Sequence, residues 1–188
     1  MQLDNAIKTR KSVRRFLDKK PDWRKIIKAI DLARFAPRAG NIFPHKFILI
    51  KDRKKIKELE YACQQSFVGS VYYIVAVVSD DSKLKRSFGE RGERYARQQA
   101  GAVIENFLLA LNEQGLATCW VGHFYDDEVR RILEIPDDCI VEALFPIGKE
   151  TKIKTNERMK PELENIIYFD FWKNKYMEPK TRVNIESA

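Results

Sequence analysis

Cysteine, histidine and long apolar runs are what this chain of 188 residues has least of. Its three cysteines, Cys63, Cys119 and Cys139, are odd in number and show no CxxC or metal-like spacing. Neither a disulfide framework nor a thiolate metal cluster is expected, and each cysteine is expected to pack as a small apolar group. No apolar stretch approaches the length of a membrane span. The first dozen residues, MQLDNAIKTRKS, lack the apolar core of a signal peptide, so a cytoplasmic location is the expectation. Acidic residues are outnumbered, 27 against 35 Lys and Arg, which leaves a net charge of +8. The basic residues are spread along the whole chain, with no dense stripe, exposed aromatics or known module, so no nucleic-acid partner is expected.

What is present is a strong pattern of buried elements. Ala96, Ala100, Val103, Ile104, Phe107, Leu108 and Leu111 recur at helical spacing. Ala102, Leu109 and Ala110 carry apolar character round the other sides, so a long, largely buried helix is expected. Gly115 stands where its C-terminal cap belongs, and Leu116 to Val121 reads as a short buried strand ended by Gly122. Earlier in the chain, Asp22 is placed to cap a helix whose Trp23, Ile26, Ile27, Ile30 and Ala33 form one apolar stripe. Phe47 to Ile50 starts a strand, Arg53 to Ala62 reads as a charged helix, and Val71 to Val78 as a central strand. Ser79 to Glu93 is polar and glycine-punctuated and reads as a loop or lid. Asp126 or Asp127 caps a helix through Leu133, and Cys139 to Phe145 forms another buried strand, ended by Pro146-Ile147-Gly148. From Lys149 the chain turns basic, before Leu163, Ile166, Ile167, Tyr168, Phe169, Phe171 and Trp172 restore apolar surface. Such a tail is expected to wrap onto the body or onto a second copy.

Two segments carry chemistry. In Arg10-Lys11-Ser12-Val13-Arg14-Arg15-Phe16, an extended backbone would put Arg10, Ser12 and Arg14 on one side, a grip for phosphate oxygens. A helical backbone would keep Arg10 and Arg14 together and turn Ser12 away. In Ala36-Pro37-Arg38-Ala39-Gly40-Asn41-Ile42-Phe43-Pro44-His45-Lys46-Phe47, two prolines and a glycine among small residues make a rigid loop able to lie against a flat ligand. Asn41 there offers both a donor and an acceptor.

Together these segments resemble the FMN-dependent nitroreductase family over nearly the whole chain. The resemblance is carried by Arg10-x-Ser12-x-Arg14 with Phe16, and by Ala36-Pro37-x-Ala39-Gly40-Asn41 with Pro44 and Phe47. Asn106, the run Gly115-Leu116-Ala117-Thr118-Cys119-Trp120-Val121-Gly122, and Arg158-x-Lys160 ahead of Trp172 complete it. It implies an α+β fold, a mostly antiparallel sheet flanked by helices, built as one flavin-binding domain over residues 1–188. Residues 150–188 would form an extension that wraps the partner of a homodimer, with a long central helix at the interface. Two FMN sites at the subunit interface are implied. Arg10, Lys11, Ser12, Arg158 and Lys160 would surround the phosphate, and Arg14 the N1 and O2 edge of the ring. Pro37, Arg38, Ala39 and Asn41 would line the pyrimidine side and ribityl chain, and Val121 and Gly122 the N5 side.

The activity implied is transfer of electrons from NADH or NADPH through FMN to a nitroaromatic, a quinone or a similar small molecule. The flavin performs the redox chemistry, so no protein residue is assigned a catalytic role and no metal is required. Other flavin chemistry on the same fold (dehalogenation, dehydrogenation or flavin breakdown) and a non-catalytic basic nucleic-acid-binding protein are the alternatives. Arg38, where the family usually has a small hydroxyl residue, Ala117 in place of a glycine, and Phe43 with His45-Lys46 around Pro44 depart from the pattern. They bear on substrate rather than fold.

Overall fold

The computed structural model describes residues 2–151 and 160–177, in two compact units divided after residue 152. In the first unit the chain runs α1 (Leu3–Thr9), α2 (Trp23–Ala33), β1 (His45–Ile50), α3 (Arg53–Cys63), β2 (Tyr73–Ser79) and α4 (Ser82–Phe88). It continues with α5 (Arg91–Glu113), β3 (Ala117–Thr118), α6 (Asp126–Leu133) and β4 (Ile140–Gly148). The four strands form one antiparallel sheet in the order β1-β2-β4-β3. The fold is α+β, as expected.

The sheet is covered on both faces. Val75, Val77, Ala143, Phe145 and Ile147 meet α2 and α5 on one side, through Ile26, Ala29, Ala33, Val103, Ile104 and Phe107. Ile74, Ala76, Val78 and Leu144 meet α3 and α6 on the other, through Ile56, Leu59, Val129 and Ile132. Strand β2 lies between β1 and β4 and is buried along its whole length, which explains the continuous apolar run from Tyr73 to Val78. α5 is the long helix foreseen, and Gly115 follows its end with φ +70, where any side chain would be strained.

Several elements differ from the sequence reading. The segment 79–93 is helix rather than loop: α4 is anchored by buried Leu84, turned by Gly89 at φ +57, and followed at once by α5. A single apolar anchor per turn gives too little periodicity to be read. Gly92 permits the junction, because a Cβ there would stand 2.5 Å from the Leu84 backbone. The α2 stripe splits, with Ile26, Ala29 and Ala33 buried but Trp23 and Ile27 exposed. Asp22 does cap α2 by accepting from Arg24 N–H, whereas α6 begins after Tyr125 with Asp126 and Asp127 inside its first turn. Strand β3 is only two residues long, and Val121 rejoins the sheet as an isolated bridge to Leu144. β4 runs on through Pro146. Its nitrogen faces the same side as the Leu144 N–H, where Cys119 and Trp120 leave the ladder between Thr118 and Val121, so no pairing is lost.

In the second unit a short 3-10 turn, Leu163–Asn165, precedes a tight hairpin closed by Phe169 N–H donating to Asn174 O at 2.9 Å. Tyr168 packs edge-on to Trp172 with ring centroids 4.7 Å apart, and the Lys175 ammonium sits 4.3 Å from the Tyr168 centroid. Ile166, Phe171, Trp172 and Met177 are exposed. No helix among the described residues is long and apolar enough to cross a membrane.

Candidate functional site

The N-terminal basic segment is extended. Val13 N–H donates to Thr118 O at 2.9 Å, Leu17 N–H to Lys149 O at 2.8 Å, and Ser12 bridges Thr118 in parallel. Burying Val13 inward turns Ser12 and Arg14 outward, so the alternation that puts Arg10, Ser12 and Arg14 on one side is the one adopted. This strip lies directly beside the run from Ala117 to Gly122. Arg14 stands over Phe67 at 5.9 Å, and both Arg14 and Ser12 act on Cys119. Burial raises the Cys119 thiol pKa, and the Arg14 charge and Ser12 pull it partly back, so the thiol stays protonated at neutral pH. Val121 is buried and Gly122 exposed next to it.

The cations of this strip are loosely paired. Arg10 Nε lies 3.2 Å from Glu105 on α5, and Lys11 Nζ lies 2.7 Å from Glu150. Arg10 Nε and Glu150 Oε1 are themselves buried and make no hydrogen bond among the described residues. At Arg10 Nε the contact with Glu105 is therefore a proximity of charge rather than a hydrogen bond. A cleft of about 150 Å³ opens beside them, with the buried Thr118 hydroxyl on its wall lacking a partner among the described residues.

The second segment lies elsewhere. Ala39–Asn41 forms a 3-10 turn with Gly40 and Asn41 both at φ +56, just before β1. Gly40 meets Phe88 of α4 so closely that a Cβ would stand 2.9 Å from its ring, and Phe88 packs edge-on to Tyr95 of α5 at 5.3 Å. Pro37, Arg38 and Asn41 are exposed and Ala39 half-buried, with the Arg38 guanidinium 6.0 Å from the Phe43 ring centroid. Pro44 O accepts from Asp80 N–H at 3.0 Å. His45, read as a loop residue, is the fully buried first residue of β1.

Behind that loop lies a buried charge cluster that sequence reasoning missed. Arg97 of α5 donates to Glu142 of β4 at 2.5 Å and contacts Asp81 at 3.5 Å, and Lys85 adds a second cation 3.1 Å from Asp81. Ser79 hydrogen-bonds Glu142, and its hydroxyl lies 2.7 Å from His45 Nδ1. One hydroxyl proton cannot serve both neighbours. If Ser79 donates to the carboxylate, His45 carries its proton on Nδ1 and donates to Ser79, leaving Nε2 an acceptor without a partner. Burial, then the Arg97 charge, lowers the His45 pKa to about 4, so the ring is neutral at physiological pH. Burial raises the Glu142 pKa, only partly opposed by Ser79 and Arg97. Gln99 of α5 is also buried, and neither its amide nitrogen nor its oxygen has a partner among the described residues. The available signal was a polar residue four positions from Tyr95 and from Val103 on a helix otherwise apolar on that side.

Within one chain the two segments do not meet. Ser12 bridges the β3 strand at the Ile147–Gly148 end of β4, on one edge of the sheet. The 37–44 loop leads into β1 on the other edge, at the Ser79–Ile140 end. Three strand spacings and the length of β2 separate them, about 14 Å across and about 20 Å along. Arg158 lies outside the described residues, and Lys160 is an exposed residue of the second unit. Beside α5 an open groove of about 580 Å³ is lined by Leu3, Ala6, Leu32, Leu109 and Ala110, with Lys28, Asn106 and Glu113 also on its walls. Ile7, Ile27 and Phe35 of the neighbouring segments are also exposed.

The nitroreductase family model matches residues 7–69 and 60–149, which includes both segments. The chain belongs to the nitroreductase family. Proteins of this family are oxidoreductases. A relative from Methanocaldococcus jannaschii is 32% identical over 107 residues, 56% of this chain and 53% of its own, so the match spans about half that relative's length. A solved nitroreductase family protein from Clostridium difficile 630 superposes with a TM-score of 0.80 at 27% identity, covering 92% of this chain and all of the other. An FMN-dependent nitroreductase from Clostridium difficile R20291 shares the fold with a TM-score of 0.75 at 20% identity, covering 90% of this chain and 99% of the other. Among the described residues no group of His, Cys, Asp and Glu is arranged to hold a metal ion.

Proposed function

We propose that this chain is an FMN-dependent oxidoreductase that works as a homodimer, with NADH or NADPH as reductant and a nitroaromatic, quinone or similar small molecule as acceptor. The observation that carries this reading is the placement of two half-sites at opposite corners of one protomer, beside an uncovered apolar face on α1, α2 and α5. A twofold partner docked on that face would bring the strip of one copy toward the loop of the other. The residues present fit a flavin: Gln99 buries a complete amide without a partner, and a heterocycle with alternating carbonyl and N–H groups is the complement it lacks.

Arg10, Lys11 and Ser12 would hold the phosphate, which is about doubly charged, with Arg158 and Lys160 arriving on the 150–188 extension. Exposed Ile166, Phe171 and Trp172 suit an arm that lies on the partner and completes one domain over 1–188. Arg14 would place a fixed cation at the N1 and O2 edge, and Gly122 its N–H near N5. Pro37, Arg38, Ala39 and Asn41 of the partner would cover the pyrimidine side, with buried Val121 backing the ring. Bound there, FMN would supply the two-electron redox chemistry that links the reductant to the acceptor. The protein's share is position and charge: a preorganised cation at the ring edge stabilises the negative charge that reduction puts there. Protons come from solvent, so no side chain needs to act as acid or base.

The test is the visible absorbance of the purified protein before and after anaerobic addition of NADH or NADPH, with its mass in solution. A flavin spectrum that bleaches, in a particle of twice the chain mass, is expected. A colourless monomer that takes up no FMN would defeat the reading.

A further inference from the structure

We infer that the entrance beside the 38–43 loop binds co-substrates that are flat near the flavin and negatively charged at their outer end. The inference rests on the function proposed above. Arg91, Tyr95 and Gln99 stand at i, i+4 and i+8 on α5 and so share one side of the helix, over about 12 Å. The stripe is graded. Gln99 is buried with an unpartnered amide, Tyr95 is half-buried against Phe88, and Arg91 is exposed. Phe88 in turn touches Gly40, which puts the loop and its Arg38 across from the stripe. The walls are therefore aromatic in the middle and cationic at the mouth.

The cations at the mouth are uncompensated. Neighbouring basic residues are occupied: Arg34 pairs with Asp31 at 2.6 Å, Lys85 with Asp81, and Arg97 with Glu142. Arg38, Arg91 and Arg94 have no carboxylate partner among the described residues. Glu93 is engaged by Lys85 at 4.0 Å, Arg86 is close enough to Asp80 to help depress its pKa, and Glu90 is the one nearby acid left over. Three guanidiniums against one carboxylate raise the local concentration of an anion and favour bidentate capture of a carboxylate, sulfonate or phosphate. That group is either on the electron acceptor or on the reductant, as the extra phosphate that distinguishes NADPH from NADH.

Equilibrium binding to the FMN-loaded protein, followed by calorimetry, tests this without turnover. 4-Nitrobenzoate and 4-nitrobenzamide have nearly the same shape and differ in charge; NADP⁺ and NAD⁺ form the second pair. The anionic member of at least one pair is expected to bind about tenfold more tightly. That preference should shrink between about 20 and 300 mM NaCl, as the Debye length falls from about 20 Å to about 6 Å. It should vanish when Arg91→Ala and Arg94→Ala are combined, with flavin content and melting temperature held. A preference in the nitroaromatic pair assigns the anion to the acceptor, and one in the dinucleotide pair assigns it to the reductant; either supports the inference. Equal affinities within both pairs, or a preference that survives the double substitution and high salt, overturn it while leaving the flavin reading intact. A protein that binds no FMN at all overturns both.

Discussion

The two corners of the sheet handle charge in opposite ways. At the strip, Arg10 and Lys11 face Glu105 and Glu150 in partly exposed pairs, with side-chain exposures of 18% and 45% for the first. At the loop, Arg97 faces Asp81 and Glu142, which are 5% and 10% exposed. Glu105, Lys11 and Glu150 of the first set keep 45%, 40% and 29% of their side-chain exposure, so each pair is worth less than a buried one. The second set is fixed because a buried carboxylate cannot be abandoned by its cation. One corner is thus a wall built in advance, and at the other Arg10 is the cation held by a half-exposed acid.

The largest effect expected follows from the wall. Arg97→Ala leaves Glu142 and Asp81 buried with only Lys85 nearby, and should cost about 3–5 kcal/mol in urea unfolding. Arg97→Lys should recover part of that loss. An Arg97→Ala protein as stable as its parent would mean that the cluster is wet and that the contrast between the corners is false.

The same wall sets a pH dependence. His45 has a folded-state pKa of about 4 against an ordinary 6.5, so below pH 6.5 the unfolded chain takes up a proton that the folded chain refuses. Stability from this group is full above pH 6.5 and declines as pH falls toward 4, by up to about 3 kcal/mol. Glu142 works in the other direction. Its raised pKa means the folded state takes a proton first, so its contribution improves as pH falls toward the ordinary carboxylate range. The two are separated by His45→Asn, whose urea midpoint should lose the decline between pH 6.5 and 4 that the parent shows. Parallel pH curves for parent and variant would place the titration elsewhere.

How much of this was legible in the sequence depended on whether the signal was local. α5 was readable because seven apolar positions repeat along it, and β2 because burial on both faces leaves an unbroken apolar run. The strip was readable as one of two alternatives, and the Val13–Thr118 hydrogen bond decides between them. α4 was not, since Leu84 is its only buried residue. The buried cluster was not legible at all. Asp81, Arg97 and Glu142 come from three elements, and only the pairing of β2 with β4 brings Ser79 and Glu142 together. That the proposed site spans two copies is implied in the sequence only by the resemblance; in the structure what motivates the proposal is the distance between the two segments.

A middle-sized effect probes the loop's contact with α4. Gly40→Ala forces a side chain into φ +56, at about 1–2 kcal/mol, and also drives a methyl against Phe88. Gly115→Ala meets a similar φ in open space, so it should cost the backbone strain alone. If the Phe88 contact matters, Gly40→Ala is the worse of the two in thermal unfolding, and adding Phe88→Ala brings its incremental cost down to that of Gly115→Ala. Equal costs with and without Phe88 would detach α4 from the loop.

The smallest effect on stability tests the corner that holds Arg10. Glu105→Gln removes the acid beside Arg10 and should change unfolding by no more than about 0.5 kcal/mol, since the carboxylate is nearly half exposed. If Arg10 is held there in reserve for a phosphate, the variant should bind FMN about two- to fivefold more tightly at low salt, with the gain fading as salt rises. Arg10→Ala should weaken FMN retention without moving the flavin's potential, whereas Arg14→Ala should lower the potential. A Glu105→Gln protein that loses FMN would show that the acid orients Arg10 rather than competing for it. The strip would then be as preorganised as the wall, despite its exposure.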